Sequence, residues 1–142
     1  MDNLTPEKRS WLMSRVKANN TTPELIVRRF LHGGGLRYGL HNKNLPGKPD
    51  IVLRKIKTII FVHGCFWHGH EGCNKARLPK TRSLWWKKKQ AYNANKDAQD
   101  QTLLNSLGWR VITIWQCELS PKKREATLSN LKRKLTAPKT RL

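Results

Sequence analysis

Between His63 and Cys73 the chain reads His-Gly-Cys-Phe-Trp-His-Gly-His-Glu-Gly-Cys, eleven residues that hold three histidines, two cysteines and two aromatic rings. Imidazole and thiolate are zinc ligands, and imidazole also changes charge near neutral pH. Packing does not call for so many of them in a segment punctuated by glycine. Two chemistries are open to such a loop: metal binding and proton transfer. Cys65, His70 and Cys73 have the short spacing of a zinc knuckle, with four and then two residues between ligands. Cys117 uses up the cysteines of the chain and completes a Cys₃His set, the composition of a closed, structural zinc site. His68 is an alternative to His70 as the imidazole ligand. The plainer reading is two buried thiols beside a histidine-rich loop.

Asp50 is one of nine acids among 142 residues, and it opens an apolar run directly after Pro49. A hairpin centred on Ile56 and Lys57 would set residue 50 opposite residue 63 and make Asp50 and His63 neighbours. A carboxylate with open space next to phosphate oxygens suits Mg²⁺, which keeps several waters and takes few protein ligands. A histidine beside it, His68 or His63, can take a proton from an attacking water. Glu24 falls in the first turn of a predicted helix, where an acid complements the dipole. It can also orient a water at the metal if that helix points at the Asp50 edge. The plainer reading of Asp50 is a turn cap.

These residues need elements to position them. Thr5-Pro6-Glu7 is a helix start, and the basic segment to about Ala18 makes a marginal helix expected to order on a partner. Thr22-Pro23-Glu24 repeats the signal, predicting a helix to about Leu31 that stops at Gly33-Gly34-Gly35. A short strand is predicted over Leu36 to Leu40, then a loop at Leu45 to Pro49. Asp50 to Arg54 and Thr58 to His63 read as two strands around a turn at Lys55 to Lys57. Their unbroken apolar runs fit strands covered on both faces. Ser83 is the predicted cap of a long polar helix ending at Gly108, with Asn93 to Asn95 as its weak point. Trp109 to Trp115 is a further buried strand. If it runs parallel to Thr58–His63, both C-terminal ends open on one edge and Cys117 arrives beside the loop. Ser120-Pro121 opens a last amphipathic helix through about Leu135, and residues 136–142 form a frayed tail. The pattern is that of one α/β sandwich domain over residues 1–142, with 1–20 as an N-terminal arm.

Composition narrows the partner. Lys and Arg number 29, giving a formal net charge of +20, and such self-repulsion calls for a polyanion. Six tryptophans add flat surfaces for stacking on bases, and 37% hydrophobic residues exclude a wholly disordered basic tail. Charge alone would also fit a ribosomal-type protein. No apolar run approaches the roughly 20 residues of a membrane span, and the first ten residues lack the apolar core of a signal peptide. A cytoplasmic location is expected, where thiols stay reduced and serve metals before disulfides.

The sequence resembles the very-short-patch mismatch-repair endonucleases, a branch of the restriction-endonuclease-like nucleases, from about Lys8 to Cys117. The resemblance is carried by Met13-Ser14-Arg15, Thr22-Pro23-Glu24, Leu45-Pro46-Gly47-Lys48-Pro49-Asp50, Phe61 to His68 and Val111 to Cys117. It implies a three-layer sandwich with a central mixed sheet, and a Mg²⁺-dependent enzyme that nicks duplex DNA at T:G mismatches. Such mismatches arise when 5-methylcytosine deaminates, and the family cuts 5′ to the mispaired T. Asp50 matches the Mg²⁺-binding aspartate, and Val62 falls where a main-chain carbonyl joins it. His68 matches the general base, with Glu24 and His63 in support. Cys65, His70, Cys73 and Cys117 match the structural Zn²⁺ ligands. Phe66, Trp67 and Trp86 match aromatics that wedge beside the mismatch, and Met13 a residue inserted from the opposite groove. Lys89 and Asn93 match contacts to the mispaired bases. The resemblance also implies a bacterial cytoplasmic setting and functional pairing with a DNA cytosine methyltransferase and mismatch-repair proteins. Nicking one strand needs only a monomer.

Two departures stand out. The loop at His70 to Cys73 is one residue longer than its tightest version in the family. The second acid and lysine common in related nucleases after the Asp50 strand are replaced by Phe61-Val62-His63. Two other readings compete: a zinc-stabilised DNA-binding module that does not cut, and a nuclease of the same fold with another target. The first leaves Pro49-Asp50 and His68 without a task. Adjacent Trp85 and Trp86 cannot both face one core, so at least one is expected at the surface.

Overall fold

The computed structural model describes residues 21–136. The arm at 1–20 with Met13 and the predicted helix to Ala18, and the tail from 137, lie outside the described residues. The first helix, α1, spans Thr22–Gly33, with Thr21 as its cap: the Thr21 hydroxyl accepts from the Glu24 N–H at 3.3 Å. The cap falls one residue earlier than predicted. Its other end closes in a paired backbone cap, in which Leu36 N–H donates to the Leu31 carbonyl and Gly35 N–H to that of His32. Gly35 adopts φ +78° there, a conformation that only glycine enters without strain. Leu36 is thereby spent on the helix end. The predicted strand over Leu36–Leu40 shrinks to β1, Gly39–Leu40.

Strand β2 (Ile51–Leu53) pairs antiparallel with β1 and with β3 (Thr58–His63), and β3 pairs parallel with β4 (Arg110–Trp115). The sheet is mixed and four-stranded, in the order β1-β2-β3-β4. The turn between β2 and β3 is a 3₁₀ turn over Arg54–Ile56, with Lys57 left-handed at φ +50°. It aligns Ile51 with Ile60, so the register continues to Asp50 opposite Phe61. The expected facing of Asp50 and His63 is therefore off by two residues, because the turn centres on Lys55 and Ile56.

Alternate strand residues separate to opposite faces, as the pleat requires. Ile51, Leu53, Ile60, Ile112 and Ile114 pack with Val27 and Leu31 of α1 and with Leu131 and Leu135 of α3 (Arg124–Thr136). Val52, Ile59 and Phe61 pack with Trp109 and with Leu104 of α2 (Ser83–Ser106). Each fully buried Ile or Leu contributes about 1.5–3 kcal/mol over an exposed one. The chain is thus an α/β domain with a mixed sheet and three described helices.

Two helix starts differ from expectation. Arg82, left-handed at φ +55°, precedes α2, and no side chain caps it. A turn over residues 121–123 delays α3 to Arg124, whose N–H donates to the Ser120 carbonyl at 2.8 Å. Helix α2 runs through Asn93–Asn95 without a break, because Asn93 has a tertiary partner described below. Among the described residues, no helix is long and apolar enough to cross a membrane.

Candidate active site and metal centre

The parallel pairing of β3 with β4 ends at His63 opposite Trp115, so the loop after β3 and the turn after β4 leave the same sheet edge. Four ligand atoms meet there. Cys65, His70, Cys73 and Cys117 each offer one, all within 4.8 Å of one another. Cys117 N–H donates to the Cys65 sulfur at 3.4 Å, and the Cys117 sulfur lies 3.4 Å from His70 Nδ1. Burial pushes the Cys65 thiol up to about 12. A zinc ion among these sulfurs would reverse that penalty, since a coordinating thiol is deprotonated outright. The donor set fits zinc, and His70, not His68, is the imidazole it contains.

His68 instead joins a second group with His63 and Asp97. The His68 and His63 rings stack at 3.9 Å, and His68 Nδ1 lies 2.5 Å from Asp97 Oδ2. A carboxylate accepting from Nδ1–H fixes the tautomer and leaves Nε2 with a free lone pair. Burial, with the His68 charge beside it, depresses the His63 pKa to about 4 despite Asp97, so His63 is neutral at working pH. Its Nδ1 is buried without a hydrogen-bond partner, 3.9 Å from Asp97 Oδ2.

Asp50 stands in a third group, with Glu24 and His41. Its Oδ2 accepts from Val62 N–H at 2.8 Å, which ties the carboxylate to β3 in place of the expected neighbour His63. Burial raises the Asp50 pKa to about 6. The Val62 hydrogen bond opposes this, the Glu24 charge adds to it, and His41 and His68 lower it. All of these groups therefore address one cleft. Glu24, in the first turn of α1, is 1% exposed, and its carboxylate accepts from His41 Nε2 and from Arg28. Two facing carboxylates are a fitting donor set for a hard divalent cation.

The aromatics form a cluster between the loop and α2. Phe66, Trp67 and Trp86 meet edge to face at centroid distances of 5.0–5.9 Å. Trp86 is buried, whereas Trp85 is 46% exposed, as the adjacency argument required. Two amides of α2 grip this loop by its backbone. Asn93 Nδ2 donates to the Trp67 carbonyl at 2.7 Å, and Gln90 Nε2 donates to those of Phe66 and Ala76. In this state the Asn93 amide thus holds the loop, and the Lys89 ammonium rests over the Tyr92 ring at 5.4 Å.

Two members of the cleft escaped sequence reasoning. Asp97 is one of only two acids in the otherwise basic α2, and that contrast was its signal. His41 follows a two-residue strand, and only the β1–β2 pairing reveals it: its N–H donates to the Asp50 carbonyl at 3.1 Å.

A basic α/β domain whose sheet edge brings together a carboxylate pair, an oriented histidine and a cysteine-rich metal centre is built as a metal-dependent DNA endonuclease. Comparison with known proteins specifies it further. The family model described as DNA mismatch endonuclease Vsr matches residues 1–75. A Type II nicking enzyme, V.XorIIP of Xanthomonas oryzae pv. oryzae, is 50% identical over 119 residues, covering 84% of this chain and 87% of the relative. V.NmeAIP of Neisseria meningitidis is 45% identical over 121 residues, 85% and 86% of the two chains. The DNA mismatch endonuclease Vsr of Escherichia coli K12 is 36% identical over 116 residues, 82% and 74%. This chain belongs to the Vsr family of DNA mismatch endonucleases, within the restriction-endonuclease-like superfamily.

Proposed function

We propose that this chain nicks one strand of duplex DNA at a T:G mismatch, 5′ to the mispaired T, as the opening step of very-short-patch repair. The observation that carries the reading is the meeting of Asp50, the His68–Asp97 pair and the Phe66–Trp67 loop at one end of β3. Helices packed against both faces of the sheet support a three-layer sandwich.

Asp50 and the Val62 carbonyl would hold Mg²⁺, which when bound supplies positive charge against the phosphate as the transition state gains negative charge. His68 Nε2 takes the proton of a water that attacks phosphorus; one ester P–O bond breaks as the new P–O bond forms, and the departing sugar oxygen takes a proton from solvent water. Asp97 holds the His68 ring and stabilises the imidazolium that results. Neutral His63, stacked on that ring, limits its rotation. Glu24 orients the Asp50 side of the cleft. Cys65, His70, Cys73 and Cys117 would hold Zn²⁺ and so fix the start and end of the catalytic loop.

Phe66 and Trp67 enter the base stack beside the mismatch, where faulty pairing makes unstacking cheapest. Trp86 backs them from α2. Lys89 and Asn93 then turn to the mispaired bases, and Met13 approaches from the other groove. The enzyme acts as a monomer in the bacterial cytoplasm, functionally paired with a cytosine methyltransferase and mismatch-repair proteins.

The test is a denaturing-gel assay on end-labelled duplexes with one T:G mismatch in randomised flanks, beside T:A and C:G controls, with Mg²⁺ or EDTA. One Mg²⁺-dependent cut on the T strand, absent from the controls, is expected. Equal cutting of all duplexes, or binding without a cut, would reject the reading.

A further inference from the structure

His41 belongs to the cleft, yet neither the Asp50–Val62 position nor the His68–Asp97 pair uses it. Its place is fixed by backbone. The His41 N–H donates to the Asp50 carbonyl and the Asn42 N–H to that of Pro49, so the β1–β2 ladder sets residue 41 beside residue 50. The ring then reaches Glu24, with Nε2 at 2.9 and 3.1 Å from the two carboxylate oxygens. Glu24 is buried on α1, and Arg28, one helical turn further on, touches Oε2 from the outer side at 3.3 Å.

Glu24, His41 and Asp50 each present one ligand atom within 4.8 Å of the others, from a helix, a strand end and a strand start. Metal–ligand bonds of about 2.0–2.2 Å from three such atoms can converge on one centre. The donor chemistry is two carboxylate oxygens and one imidazole nitrogen. A cation served by water and phosphate alone has no use for that nitrogen, whereas first-row transition cations accept it.

We propose that Glu24, His41 and Asp50 form a protein-only binding position for a first-row transition divalent cation, beside the Mg²⁺ position assigned to Asp50 and the Val62 carbonyl. It rests on the reading of Asp50 as a cation ligand. The position is complete before DNA arrives, because none of its ligands comes from a phosphate. His41 takes the cation through Nε2 in place of the contacts that nitrogen now makes with Glu24, whose Oε1 is the oxygen that Arg28 leaves for the cation while it keeps its hold on Oε2.

The experiment uses the full-length, zinc-loaded protein without DNA, and Mn²⁺ as the probe, since Mn²⁺ does not displace zinc from a thiolate set. Substoichiometric Mn²⁺ is added while the ring signals of the five histidines are followed by NMR. Paramagnetic broadening of the His41 ring ahead of His63 and His68 is expected. A His41 ring that stays sharp while the other two broaden would overturn the proposal, without need of any variant. In parallel, the affinity for Mn²⁺ is read from the electron-spin signal of the free ion. His41→Gln is expected to weaken it by about 10-fold or more, in the range seen when metal-site partners are removed. Unchanged affinity in a folded variant would overturn the proposal as well.

Nicking of the T:G duplex by the wild-type protein separates this inference from the function it accompanies. Early broadening of His41 with no nicking under Mg²⁺ or Mn²⁺ upholds the cation position and rejects the nuclease assignment. Nicking with a silent His41 rejects the cation position alone.

Discussion

Two of the three groups of metal-capable side chains near the end of β3 each include one histidine, yet they differ in hardness and in saturation. The Cys65, His70, Cys73 and Cys117 set is soft, closed and made of four protein ligands. The Glu24, His41 and Asp50 side is hard, supplied with carboxylates and open to the cleft that holds His68. Trp115 links the Cys/His set to the histidine pair, stacked on His70 at 4.0 Å and edge-on to His63 at 5.2 Å. The contrast teaches a division of labour. A saturated sulfur site leaves no position for a reactant and can only hold structure. An unsaturated oxygen site holds little structure and can receive a phosphate.

The sharpest way to break this contrast is Asp50→Ala. Mg²⁺-dependent nicking should fall on the order of 10³-fold or more, the scale of losing a catalytic cation, while gel-shift affinity for the mismatched duplex persists. A variant that still cuts at the wild-type rate would move the active site elsewhere. Next in size is Asp97→Asn, which removes the charge behind His68 but keeps its shape. A fall of about 10–100-fold in kcat, the effect of losing an orienting partner, is expected with zinc content and Tm unchanged. Loss of Tm in step with kcat would reduce Asp97 to a structural residue.

The other side of the comparison is probed by Cys117→Ser. Bound zinc should drop below one equivalent, and Tm should fall by about 7 °C, equivalent to about 2 kcal/mol for a domain of this size. Nicking should be restored in part by cooling, because the oxygen site itself is untouched. Full zinc stoichiometry in that variant would remove Cys117 from the ligand set.

How much of this was legible beforehand follows from the range of each interaction. Local rules sufficed for α1, where Thr, Pro and the glycines act within a few residues, and for the apolar runs of β2 and β3. The Cys/His set was legible because its ligand types are rare and the parallel β3–β4 pairing was inferable from two buried runs. The register of β2 on β3 was not, since it depended on whether Lys57 or Lys55 sat inside the turn. A left-handed lysine at φ +50° is not announced by its side chain. Asp97 and His41 were missed for a related reason. Each is ordinary in its own element and gains meaning only across a tertiary contact, 29 residues from His68 in one case and 17 from Glu24 in the other. The resemblance to mismatch endonucleases assigned Asn93 to the substrate, and its contact in the DNA-free chain, a hydrogen bond from its amide to the Trp67 carbonyl, was likewise visible only in three dimensions.

The β3–β4 pairing has a further consequence for how the molecule comes into being. Cys65 and Cys117 are 52 residues apart in sequence, and the two strands that bring them together span the same stretch, α2 included. Contacts of that range close late, after the loop entropy between them has been met. The sulfur set can therefore gather only once the longest-range pairing has zipped to its end, at His63 and Trp115. An ion captured by that set would then mark a finished chain. A nascent or half-folded copy, however basic and however ready to adhere to DNA, has not yet aligned the edge on which a strand is cut.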